Sequence, residues 1–64
     1  MCLSNVYDRE VADNRLLFRN IADVRFEDGK ILMTDIMGIR RELSGVVKKI
    51  DLMDNYIIVE SADN

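Results

Sequence analysis

Cys2 is the only thiol in this sequence, and it stands at the second position. A residue that small permits removal of the initiator Met1, which would leave Cys2 with both an α-amine and a thiol. The two groups close a five-membered chelate ring on a metal ion. The amine titrates at about 7.7–8.0 and the thiol at about 8.5, so a metal displaces both protons at modest cost near neutral pH. The backbone nitrogen of Leu3 is a further donor once it is deprotonated. Histidine is absent, which removes the commonest metal ligand and the usual general base at neutral pH. A plainer reading makes Cys2 a small, half-buried apolar residue on an edge strand.

No other group of residues points to chemistry. The thiol has no histidine to activate it, and there is neither a glycine-rich phosphate loop nor a serine elbow. The 12 acidic residues form no calcium-loop pattern and read as solvated charge. Met33, Met37 and Met53, with Met1, read as core filling rather than as soft metal ligands. The pairs Arg40-Arg41 and Lys48-Lys49 suggest a basic strip on one sheet face. Glu42 and Asp51 interrupt it, however, and neither Tyr7 nor Tyr56 sits in a ribonucleoprotein motif. The formal net charge of -3 also speaks against a phosphate-coating domain. The chain reads as a binding module and not as an enzyme.

These residues must be positioned by one small domain spanning residues 1–64. A chain of 64 residues buries only about 60% of its unfolded surface. With one cysteine no internal disulfide can form, so a metal or association with another subunit is the expected reinforcement. The composition, 48% hydrophobic and 33% charged, is that of a folded soluble protein. The longest apolar run, Tyr56-Ile57-Ile58-Val59, is too short to span a membrane. The opening residues lack the basic-then-apolar pattern of a signal peptide. A lone cysteine suits a reducing compartment, so the cytoplasm is the expected location.

The local patterning is that of an all-β chain. Ala22-Asp23-Val24-Arg25-Phe26 alternates apolar and polar, as a half-buried strand does. Asp28-Gly29 is a favoured pair for a two-residue hairpin turn, and Ile31-Leu32-Met33-Thr34 reads as the returning strand. A second hairpin is predicted around Met53-Asp54-Asn55, because Asp and Asn tolerate left-handed turn geometry. Its final strand carries the β-branched residues Ile57, Ile58 and Val59. Near the start, Cys2, Ser4 and Val6 would share one strand face, and residues 8–14 read as a connection. Ile39, Leu43, Val46, Ile50 and Met53 recur at spacings of four and three, a helical pattern. Ser44-Gly45 and the Val46-Val47 pair argue against it, and strand is preferred. The predicted architecture is five to six short antiparallel strands in a meander, curled into a small barrel that limits its exposed edges.

The opening Met1-Cys2, Asp23-Val24 ahead of Glu27-Asp28-Gly29, Leu43-Ser44-Gly45, and Val47-Lys48-Lys49-Ile50-Asp51-Leu52 before a β-rich strand resemble the CooT family. The similarity is without obvious gaps from about Arg19 onward; residues 8–18 are not matched. CooT is a small accessory protein of carbon monoxide dehydrogenase maturation, and its relatives are often described as RNA-binding. The resemblance implies an Sm-like or SH3-like barrel, a homodimer, a nickel-enzyme maturation partner, and Ni(II) bound through the N-terminal cysteine. Planar nitrogen and thiolate donors suit Ni(II) or Cu(II), whereas Zn(II) prefers a tetrahedral set. A two-fold axis would bring two copies of Cys2 together as an N2S2 set, one ion between two chains. The alternative is an Sm-like RNA- or protein-binding module in which Cys2 is incidental.

Overall fold

A computed structural model describes residues 2–62. Met1, and with it the expected processing of the terminus, lies outside the described residues. Five strands follow in order: β1 (Ser4–Asp8), β2 (Leu16–Glu27), β3 (Lys30–Asp35), β4 (Arg40–Asp51) and β5 (Tyr56–Ser61). One short 3-10 turn, Asp13–Arg15, leads into β2. The strands close into a barrel in the order β1-β2-β3-β4-β5, the all-β architecture expected. Among the described residues, no helix is long and apolar enough to cross a membrane.

Consecutive strands pair antiparallel. The seam between β1 and β5 is parallel, running from Asn5↔Tyr56 to Asp8↔Val59. This follows from the count: in an up-and-down meander of odd number, the first and last strands point the same way. The seam is fastened at its far end by Asp8. Its carboxylate accepts the Ser61 N–H and the Ser61 hydroxyl, each at 3.2 Å.

The two hairpins form where the turn chemistry places them. Asp28 and Gly29 both have positive φ, 52° and 76°, as a type I′ turn requires, and β2 and β3 meet across it at Glu27↔Lys30. Asn55 takes the left-handed position, φ 57°, before β5.

Two strands depart from the short lengths expected. β2 and β4 each run 12 residues, because each bends to serve two neighbours. β2 pairs first with β1 and then with β3, and β4 pairs first with β3 and then with β5. The helical spacing across β4 marks no single face, since Ile39, Val46 and Met53 are exposed. Leu43, Gly45 and Val47 alternate inward, and then a register shift between Val47 and Lys49 moves the phase by one. Ile50, opposite the buried Ile57, therefore shares the inner face with Val47.

The core is Val6, Ile21, Ile31, Met33, Ile57 and Val59, with Phe18, Val24, Leu43 and Val47 packed against it. Each strand contributes at least one residue, so the ring encloses one apolar centre. Of the methionines placed in the core by sequence, Met33 is there, while Met1 lies outside the described residues. Met37 and Met53 stand in turns and are exposed.

Candidate functional site

β1 begins at Ser4, so Cys2 and Leu3 precede the sheet instead of lying in it. The predicted sharing of a strand face by Cys2, Ser4 and Val6 is thus replaced by an exposed Cys2 ahead of the strand. The half-buried edge-strand reading of Cys2 fails for the same reason. β1 is no edge either, since it lies between β2 and β5. Leu3 is half-buried, and no hydrogen bond engages its backbone N–H among the described residues.

The parallel seam fixes where this segment emerges. Because β1 and β5 start at the same end of the barrel, Cys2 leaves beside the turn that joins β4 to β5. The Asn5 N–H donates to the Asn55 carbonyl at 3.2 Å, which ties the two together. That turn is apolar and open: Leu52 is 82% exposed, Met53 89%, and Ile50 at the barrel mouth 51%.

Asp51 builds the turn from below. Its Oδ1 accepts the Asp54 N–H at 2.7 Å and the Met53 N–H at 3.0 Å. The Asp54 N–H is the main reason its carboxyl is held below the usual carboxylate range; partial desolvation opposes it, and the Met53 N–H adds to the lowering. Lys49 crosses above, its Nζ 2.9 Å from the Tyr56 hydroxyl, 5.2 Å from the Tyr56 ring centre and 3.8 Å from Asp51. These contacts hold Leu52 and Met53 outward.

A single copy supplies few donors. Among the described residues no group of three or more His, Cys, Asp or Glu side chains comes close enough to hold an ion. What one chain offers is an accessible thiol, a backbone nitrogen free of hydrogen bonds, and an apolar rim. The donor set fits a soft or borderline ion only in part, and a second copy would have to complete it.

The basic strip that the sequence reading weighed and disfavoured does not form. Arg40-Arg41 and Lys48-Lys49 occupy the two ends of β4, separated by roughly 25 Å at about 3.3 Å per residue. Arg41 pairs with Asp35 at 3.4 Å and covers the Phe18 ring at 5.8 Å, while Lys49 is engaged with Tyr56. Sequence reasoning did not single out the apolar rim: Ile50, Leu52 and Met53 are close in sequence, but only the fold shows them exposed together.

Comparison with known proteins agrees with this fold and this chain length. The family model described as CO dehydrogenase accessory protein CooT matches residues 1–60, and so extends across residues 8–18, which the sequence resemblance left out. An uncharacterized protein of Methanocaldococcus jannaschii is 32% identical over 60 residues, covering 94% of this chain and 98% of that one. A crystal structure from Carboxydothermus hydrogenoformans, provisionally assigned as CooT, superposes with a TM-score of 0.82. It covers 97% of this chain and 100% of its own at 21% identity, a likeness of fold.

Proposed function

Because the chain belongs to the CooT family, whose members are accessory proteins and not enzymes, we propose that it serves nickel-enzyme maturation by holding Ni(II) at Cys2 between two copies. The observation that carries this reading is the exposed Cys2 emerging beside an apolar rim of Ile50, Leu52 and Met53. The rim gives a two-fold contact apolar surface to cover, and the contact brings one Cys2 to its symmetry mate. Each chain then contributes the Cys2 sulfur and nitrogen from its α-amine or from Leu3. Metal binding and association reinforce one another, which a small core needs. Exchange with a recipient enzyme needs the thiol accessible, as it is here.

The test uses untagged protein whose terminus has been mapped by mass spectrometry. Addition of Ni(II) near pH 7.5 should raise a thiolate-to-metal charge-transfer band that saturates at one ion per two chains. Cys2→Ser should lose that band. An unchanged titration in the variant, or no uptake by correctly processed protein, would remove Cys2 from the account. The reading as an Sm-like RNA-binding module has less behind it, since the basic pairs lie apart and one residue of each, Arg41 and Lys49, is already engaged.

A further inference from the structure

The first half of β2 has a neighbour on one side only. Residues 16–20 pair with β1 through Phe18↔Val6 and Leu16↔Tyr7. The ladder with β3 starts only at Ile21↔Asp35. Facing the open side is the turn between β3 and β4, and the Ile36 N–H bonds to the Asn20 carbonyl at 2.9 Å, closing one end of the gap. The result is a groove of about 450 Å³ lined by Leu17, Ile36, Met37, Arg19 and Arg41, among others. Its apolar walls are exposed, Met37 at 80% and Ile36 at 52%.

The charges in the groove do not cancel. Asp35 is fully engaged: Oδ1 accepts the Met37 and Ile39 N–H groups at 2.9 and 3.0 Å, and Oδ2 faces Arg41 at 3.4 Å. Arg19 forms no salt bridge among the described residues. On a chain with a net charge of -3, this groove therefore carries an uncompensated positive charge beside aliphatic surface.

We propose that the groove docks an extended peptide segment of a partner protein, added as a strand along residues 16–19, up to the already bonded Asn20. Leu17 and Arg19 point to the same face, two residues apart. An added strand would set one side chain against each, so the segment carries an apolar residue and an acidic one at i and i+2. Main-chain hydrogen bonds to the open edge of β2 supply affinity, and Ile36 and Met37 cover the apolar side chain. A nucleic acid fits less well. The lining is aliphatic, the Phe18 face is covered by Arg41, and one unpaired guanidinium gives little purchase on a phosphate chain. None of the proposed metal donors belongs to this groove, so the two proposals fail independently.

The experiment uses the whole chain and a fluorescein-labelled pentapeptide, Thr-Val-Thr-Glu-Thr, with Thr-Val-Thr-Lys-Thr as counterpart. Anisotropy should show the glutamate peptide binding at least fivefold more tightly. Arg19→Glu should weaken it at least fivefold, while Arg25→Glu on another part of the surface leaves it unchanged. Amide resonances of residues 16–20 and 36–37 should move on titration. The proposal is overturned by equal binding of both peptides, by no binding at millimolar peptide, by indifference to Arg19→Glu, or by shifts elsewhere. Tighter binding of a ten-nucleotide oligouridylate that depends on Arg19 overturns it too. So do concentration-dependent shifts at the same amides without peptide, which would make a second copy the occupant.

Discussion

Gly45→Ala tests how tightly the barrel is drawn together where β4 passes the end of β5. At this position φ is 151°, a region that side chains avoid, and an added Cβ would lie 2.9 Å from the Ser61 Cα and nearer still to the Glu60 carbonyl oxygen. Carbon atoms pack best at about 3.5–4.0 Å, so the backbone of β5 must retreat by at least about 0.6 Å. The strained backbone alone costs about 1–3 kcal/mol. Retreat also weakens the end of the ladder at Gly45↔Ser61 and the Ala62 N–H bond to the Ser44 carbonyl, 2.8 Å long. A hydrogen bond there contributes about 0.5–1.5 kcal/mol, so the total is about 2–4 kcal/mol. For a domain of this size, each kcal/mol lowers Tm by about 4–8 °C, which puts the variant roughly 8–32 °C below wild type. Gly29→Ala is the control. Its φ is also positive, 76°, but nothing lies within 4 Å of the added Cβ, so only the left-handed backbone cost of about 1–2 kcal/mol applies. Both variants would be melted by circular dichroism at one protein concentration. Equal losses would refute a tight approach of β4 and β5.

Three further outcomes are expected. Met33→Ala empties the centre of the core, where Met33 is 1% exposed. It should cost about 2–5 kcal/mol, against a total stability of about 3–10 kcal/mol for a chain of this length, so urea denaturation should begin near zero denaturant. Asp35→Ala withdraws the acceptor for the Met37 and Ile39 N–H groups, and should cost about 1–2 kcal/mol and speed hydrogen exchange at those two amides. The Ser61 N–H bonded to Asp8 holds that carboxyl below its ordinary range, and Asp51 is lowered by its turn. Their contribution is present above about pH 4 and lost as pH falls through the lowered folded values. Asp8→Asn should therefore melt lower than wild type at pH 7 and lose less on acidification to pH 2.5. The Lys30 and Lys49 amines are raised, by bonds to Glu42 and Tyr56 respectively. Their contribution persists through neutral pH and disappears only in strong alkali.

The parts of the fold written in local chemistry were legible. Asp28-Gly29 specified its hairpin because few pairs accept two successive positive φ angles. Asn55 marked the second turn for the same reason, and the alternation from Ala22 to Phe26 marked the second half of β2. The first half of β2 was not legible. Leu16 to Asn20 alternates poorly, since one side of it faces a groove and not a neighbour. The run from Ile39 to Met53 reads as strand despite its helical spacing, because Ser44-Gly45 and Val46-Val47 disfavour a helix, and β4 is indeed a strand in which Val46 faces out. At the candidate site, Cys2 stood out by chemistry alone. Its neighbours did not, because the rim reaches it only through the seam between strands some 50 residues apart in sequence, Asn5 with Tyr56.

The direction of that seam also decides where the molecule can be handled. Since β1 and β5 run the same way, Cys2 and Ala62 sit at opposite poles of the barrel, roughly 20 Å apart over the six residues of β5. A fluorophore or purification tag grafted after Ala62 therefore sits far from the thiol, whereas anything placed ahead of Cys2 masks it. Functional work on this protein should attach its handles at the C-terminal pole.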